Sequence, residues 1–431
     1  MLSALPSQKL QALVVIMCAL SGNPAEMEST SAGKTTLDVW FHAGQEAERE
    51  IIQEQVIRFN ESRKTVEVNL TFIPERDYNA QIQAAAMADD LPDVLEFDGP
   101  YLYNYVWQNH LLPLDDYIPQ KIKEDLLPSI IAQGTYQGSL YSVATFDSGL
   151  GLYVNKDMLE AINARIPTSA GDAWTIDEFN TILTRLSDED PDGAVLDLKL
   201  NYSGEWYSYA FSPVLQSAGA DLINRETMFA TGVLNSDSAV TALKYIQNWV
   251  AQELVDYNTD DAAFTTGRVA ISWVGHWEYD RYSKALGEKL AIVPLPDFGS
   301  GSKTGQGSWN WGITKACSNP DAAIDFLSFL LETDQVLAMA NGNGAVPATK
   351  DAIAKSDLYG PDGPLHLFSE QLLEGYSVPR PRTPAYPIIS STFQSSFMKI
   401  INKAPIQDTL DRAAKLIDED IEDTGYKSVI K

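Results

Sequence analysis

The sequence predicts a two-domain α/β protein, and three observations carry that expectation. At 431 residues the chain is longer than a single hydrophobic core usually serves, a limit of about 250–300 residues. Hydrophobic residues make up 45% and charged residues 21%, the balance of a folded, water-soluble chain. Strand-length apolar runs also alternate with segments of helical spacing, the pattern of a mostly parallel sheet with helices on its faces.

The first strand is the run TLDVWF from Thr36. Ile51, Ile52, Val56 and Phe59 follow at helical spacing, with the charged residues falling elsewhere. VEVNLTFI from Val66 reads as a second strand, Tyr78 to Ala88 as a helix, and DVLEFD ending at Asp98 as a third strand. Short strands are expected around Tyr141 to Thr145, then helices from Met158 to Leu186 and again from Tyr202 to about Val255. VAISWV (269–274) and LAIVPLPDF from Leu290 are further strands, and GSGSKTGQGS reads as a flexible loop before the aromatic strand WNWGI. Helices carry the chain to its end, interrupted by NGNGAVPATK and SVPRPRTPAYP. In open sheets of this kind ligands bind beyond the carboxyl ends of the strands. Those loops here are 42–48 and 98–103.

Lys9 precedes the apolar run LQALVVIMCAL, and Ser21 and Gly22 follow it, the layout of a secretory signal too short to span a bilayer. The expected organisation is a signal at 1–22 and a polar tether at 23–36. A lipid anchor on Cys18 would need a small residue before it, where Met17 stands. With 59 acidic against 31 basic residues the formal charge is −28, which repels phosphate backbones and argues against a nucleic-acid partner. Cys18 and Cys317 are the only cysteines, so neither a disulfide framework nor a cysteine metal site is expected.

Catalytic signatures are missing. There is no HExxH, no GxSxG, and Ser302 replaces the glycine that a phosphate loop needs before its lysine. Glu46, Asp98, Asp147 and Glu205 fall in or near loops that also hold Trp40, Tyr101, Trp206, Trp273, Trp277, Trp309 and Trp311. Aromatic faces take sugar C–H groups and carboxylates take hydroxyl hydrogen bonds, so the combination points to carbohydrate. Each ring also has an ordinary reading as core, and each acid as solvated surface.

Six landmarks in order, GQEAE, LPDVLEFDGPYL, FDSGLGLYVNKDML, FTTGRVAISWVGHW, GSWNWGITKACSNPDAAIDFLSFL and SVPRPRTPAYP, carry a resemblance from about Leu37 to the C-terminus. The chain resembles the extracellular solute-binding proteins of family 1 in sugar importers, particularly those for trehalose, maltose and related glucosides. The resemblance implies a two-lobed periplasmic-binding-protein-like α/β fold (type II), each lobe a mixed sheet flanked by helices, with a hinge and a ligand cleft. The expected lobes are 37–145 plus 294–345, and 148–290 plus 346–431. It implies ligand contacts at Glu46, Asp98, Asp147 and Glu205, aromatic stacking at Trp273 and Trp309, backbone amides at Gly307 and Ser308, and a forked donor at Arg380. Relatives often carry a second glycine at Ser308, so the serine is expected to add a hydroxyl contact or narrow the pocket. His42 and His276 flank matching positions without an assigned role.

The expected function is a non-catalytic, monomeric carrier without cofactor or metal. It would capture a neutral disaccharide or glucoside of trehalose, maltose, sucrose or glucosylglycerol type and deliver it to membrane permease subunits served by a separate ATPase. It would work in the periplasm or on the extracellular face of the membrane. A secreted or periplasmic carbohydrate-active enzyme using paired carboxylates and a sugar-sensing subunit are the alternatives.

Overall fold

A computed structural model describes residues 34–360 and 362–426, so the expected signal segment lies outside the described residues. Strand one runs Thr35–His42. Alternate residues Leu37, Val39 and Phe41 are buried while Thr36 and Asp38 face water, which sets its register against the core. The strand begins two residues inside the segment expected to be a tether, because Thr35 donates its N–H to Thr65 O at 2.8 Å and pairs with Val66.

Val66–Ile73 lies parallel on one side of this strand and Val94–Asp98 parallel on the other. Trp309–Ile313 closes the sheet, antiparallel to Val94–Asp98, with Trp309 opposite Asp98. The helices Glu46–Ser62 and Glu75–Met87 complete the early strand-helix alternation. Ile52, Val56 and Phe59 form the buried stripe of the first of them, as their spacing predicts.

A second, mixed sheet has the order Leu290–Val293, Leu150–Asn155, Ile271–Gly275, Leu196–Asp197, Val255–Asp256. Leu150–Asn155 runs antiparallel to both its neighbours, whereas the last three strands are parallel. The helices Ile176–Glu189, Trp206–Ser217, Asp237–Ala251, Tyr386–Ile401 and Ile406–Asp423 belong to the same mixed α/β body.

Two expectations from the sequence differ from the structure. Residues 141–145 form no ladder; only Val143 bridges, to Trp311, and the short strands flank them at Ser139–Leu140 and Phe146–Asp147. The loop GSGSKTGQGS contains a buried strand, Thr304–Gln306, parallel to Ser377–Pro379. Thr304 Oγ1 accepts the Leu150 N–H at 2.7 Å and donates to Leu150 O at 3.0 Å. Partners distant in sequence therefore order a stretch whose local composition favours flexibility.

Candidate functional site

A cavity of about 780 Å³ opens where the carboxyl ends of the first sheet meet residues 201–209 and 276–277 and the segment carrying Arg380. Its floor is an ion cluster. Asp98, the last residue of its strand, takes both ends of the Arg380 guanidinium, from Nη1 at 2.9 Å and Nη2 at 2.6 Å. Nη1 also donates to Glu205 Oε1 at 2.7 Å. Glu205 directly precedes the helix Trp206–Ser217, where the positive end of the helix favours a carboxylate. It further accepts from the Tyr386 hydroxyl and from Ser390 Oγ at 2.5 Å.

Arg380 is buried, and its guanidinium lies 5.0 Å from the Tyr209 ring centre. Burial works against its charge, but Asp98, Tyr386 and Glu205 outweigh it and hold its pKa well above the ordinary value. Burial likewise pushes the Glu205 carboxyl up, against the pull of Arg380. Gly307 makes room for this arrangement: it has φ +133°, and a Cβ there would stand 2.7 Å from Arg380 Nη2. No other residue fits that backbone and that approach together.

The walls are aromatic. Trp309 is half-buried and lines the cavity beside Tyr78, with the ring centres 5.4 Å apart, edge to face. Its indole stacks on His42 at 3.9 Å with only 5° between the planes. From the other side come Tyr202, Tyr209 and Trp277. Trp277 Nε1 donates to Tyr202 OH at 3.4 Å, and that hydroxyl donates to Glu278 at 2.9 Å.

Polar links run beneath both walls. His42 lies 2.6 Å from Glu96 and 3.7 Å from Glu48. Glu48 accepts from Asn343 Nδ2 at 3.0 Å, and Asn343 O sits 2.8 Å from His276 Nδ1. Burial raises the Glu48 carboxyl, yet its bonds and attraction to His42, the Gln45 N–H and the Asn343 amide bring it down to about 2. Burial drives His276 the other way, to about 4. Its ring is therefore neutral at pH 7, with the proton on Nδ1 facing the Asn343 carbonyl.

An acid-side loss of stability follows from His276. The unfolded chain protonates this residue near 6.5, whereas the folded protein resists until about 4. Its neutral form is thus fully tolerated above pH 6.5, and stability falls as pH drops from there through 4, by up to about 3 kcal/mol. Urea unfolding across that range should show a shallower pH slope in His276→Gln, whose amide can still donate to Asn343. An identical slope in the variant would remove His276 as the cause.

Of the nine expected contact residues, Asp98, Glu205, Gly307, Ser308, Trp309 and Arg380 line the cavity. The Ser308 carbonyl accepts from Gly99 N–H and Asn310 Nδ2, each at 3.0 Å, and so anchors the loop. Its hydroxyl is buried with no partner among the described residues.

The other three lie elsewhere. Glu46 is the exposed first residue of its helix; Glu48 lines the cavity instead, because two helical steps of about 100° each point the two side chains to opposite faces. Asp147 has no exposure. Its carboxylate takes Gln133 Nε2 at 3.0 Å and Ser148 N–H at 2.8 Å, and also the Gly307 N–H, tying the crossover together from behind the cavity. Trp273 is wholly buried, 6.1 Å from Phe211, and Trp277 supplies the ring on that wall. The sequence also passed over His42, Glu48, His276, Tyr202 and Tyr209 as lining residues. Glu48 had a signal: as the third residue of the helix its carboxylate accepts the Gln45 N–H at 2.8 Å, a capping-box position. Among the described residues no three His, Cys, Asp or Glu side chains converge to hold a metal ion.

With this geometry in view, the comparisons with known proteins agree on the fold. An uncharacterised lipoprotein in the oleD 5′ region of Streptomyces antibioticus is 22% identical over 371 residues, covering 81% of this chain and 78% of its own length. The maltotriose-binding protein of Pyrococcus abyssi is 20% identical over 326 residues, 73% of this chain and 67% of its own. Among solved structures, the GacH receptor of Streptomyces glaucescens GLA.O, determined unliganded and in complex with acarbose and an acarbose homolog, superimposes with a TM-score of 0.77. It is 19% identical over 90% of this chain and 99% of its own, so the two-lobed solute-binding architecture expected from the sequence is the one observed. The family model for bacterial extracellular solute-binding proteins matches residues 54–361, and the chain belongs to that family.

Proposed function

We propose that this chain is the substrate-binding component of an ABC importer, which holds a neutral sugar in the cavity between two lobes. The observation that carries this reading is the pairing of half-buried indole faces, Trp309 on one wall and Trp277 on the other, with a floor whose charges satisfy one another. Sugar rings offer C–H faces to such indoles, and their hydroxyls bond to oriented carboxylates and amides. Asp98 accepts only the two ends of the Arg380 fork and keeps lone pairs for hydroxyl donors, whereas Glu205 is filled by Arg380, Tyr386, Ser390 and Tyr101 and fixes the floor. Because the guanidinium already serves both carboxylates, an anionic sugar would find no free counter-charge. The cavity volume is in the range of about 300–1,000 Å³ common for small-ligand sites. The names of the maltotriose-binding relative and the acarbose-binding neighbour favour a maltose-type oligosaccharide.

The lobes of this reading are 37–145 plus 294–345 and 148–290 plus 346–431, hinged near Asp147 and near Thr304–Gln306 with Ser377–Pro379. Glu46, Asp147 and Trp273 are withdrawn from the contact set in favour of Glu48 and Trp277. Closure would present the loaded protein to permease subunits on the outer face of the membrane, with ATP hydrolysis in a separate subunit.

The competing reading is a carbohydrate-active enzyme using Asp98 and Glu205. Incubating the protein with maltose, maltotriose and trehalose and assaying released monosaccharide separates the two. Stoichiometric binding without release supports the carrier, and turnover lost in Glu205→Gln supports the enzyme.

A further inference from the structure

The group directly behind the Trp309 indole is an imidazole held between two carboxylates. His42 is the last residue of the first strand and is 1% exposed. Both edges of its ring face carboxylates: Nδ1 is 2.6 Å from Glu96 Oε2, and Nε2 is 3.7 Å from Glu48 Oε2. Its own backbone N–H donates to the same Glu96 oxygen at 3.1 Å. Glu96 has no exposure. Its second oxygen is buried and has no partner among the described residues.

A neutral ring would leave two buried carboxylates flanking a group that could donate to only one of them, a costly arrangement. A protonated ring donates to Glu96 along one edge, presents an N–H to Glu48 as an ion pair along the other, and cancels one of the two charges. Gly44 permits the close approach. It has φ +48°, and a Cβ on it would stand 2.9 Å from His42 Nε2 and 2.5 Å from Glu48 Oε2. With its edges occupied, the imidazole has only its faces left, and Trp309 lies flat on one of them.

We propose that His42 is a positioning residue for the ligand site, an imidazolium fixed edge-on by Glu48 and Glu96 that fixes the plane of the Trp309 indole on which a sugar ring lies. The inference rests on the sugar-binding reading. A cation on an indole face is attracted by the ring quadrupole, most strongly away from water. The stack, with Tyr78 at the indole edge, leaves Trp309 one orientation in which to meet a ligand.

The consequence is a site that loosens in alkali. Burial opposes the His42 charge, but Glu96 and Glu48 outweigh it and hold its pKa well above 6.5. The ionisable groups facing it are Glu48 on the helix Glu46–Ser62, Glu96 on the strand Val94–Asp98, and Glu75 and Tyr78 on the helix Glu75–Met87. Glu48 titrates near 2, burial moves the Glu75 and Glu96 carboxyls up, and burial moves the Tyr78 phenol well above 10. As pH rises, the clamp therefore opens where His42 gives up its proton.

Two readouts test this. In the ligand-free protein, the His42 imidazole is followed by NMR from pH 6 to 10, assigned by single substitution of the other three histidines, alongside the near-UV circular dichroism of the indoles. The indole signal should change in step with His42, and the change should vanish in Trp309→Phe. A flat indole signal through the His42 titration overturns the proposal, whether or not any sugar binds. In the second readout, maltotriose affinity of the wild type should fall about tenfold across the same transition, while His42→Gln binds weakly at every pH. A His42→Gln protein with wild-type affinity and pH profile overturns it as well. Wild type that binds no maltotriose at any pH would instead count against the sugar reading, and the ligand-free indole signal still decides the clamp.

Discussion

Replacing Arg380 with methionine is expected to lower the free energy of unfolding by about 3–5 kcal/mol, the usual result of stranding a buried charge. Arg380 is 4% exposed, and Asp98 and Glu205 keep only 15% of their side-chain surface. Methionine fills a similar volume but leaves both carboxylates facing each other across a buried floor. Tyr386 and Ser390 can still bond Glu205, while Asp98 loses both ends of the guanidinium fork. Urea unfolding at pH 7 measures the loss. Adding Glu205→Gln to the Arg380→Met variant should restore part of it, since one stranded charge is gone. A single-variant loss under about 1 kcal/mol would mean that water already screens the cluster, and the floor would not be the buried ion cluster described above.

The second large effect is on binding. Trp309→Ala should weaken affinity for a neutral oligosaccharide by roughly 1–3 kcal/mol, about a 5- to 150-fold rise in Kd. The indole is half-buried, lines the cavity and rests on His42, so truncation removes both the stacking face and the roof over a buried imidazole. The ligand-free protein should stay folded, because Phe41 and Trp311 pack on the first sheet independently of Trp309, with ring centres 5.6 Å apart. Calorimetric titration of both proteins with maltotriose, beside a melting curve without sugar, separates the two roles. A lower melting temperature with unchanged affinity would make Trp309 a core residue.

Much of this architecture was legible in the residues. The alternation in TLDVWF and the helical stripe through Phe59 place the first sheet and its helix, and the match of WNWGI to the strand Trp309–Ile313 is complete. Short parallel pairs such as Leu196–Asp197 with Val255–Asp256 were not legible, because two-residue strands carry no period and depend on partners far along the chain. The same reason hid the strand at Thr304.

At the site, the errors have a common origin. Ile271–Gly275 is buried on both faces, so its apolar run cannot say which indole of ISWVGHW reaches the cavity; Trp273 turned to the core and Trp277 to the wall. Acids near loops are likewise ambiguous. Asp98 and Glu205 emerge at the ends of elements that converge on Arg380, whereas Asp147 is consumed by internal hydrogen bonds and Glu46 points to water. The imidazole under Trp309 left no local signature, since its two carboxylates come from other elements, one of them 54 residues away.

The most direct test of the sugar-binding reading is isothermal titration of the purified protein with maltotriose at pH 7, with the sugar recovered afterwards and analysed. Saturable heat with one site per chain and recovery of intact trisaccharide are expected. No heat with maltotriose, maltose or trehalose, or recovery of cleaved sugar, would contradict that reading.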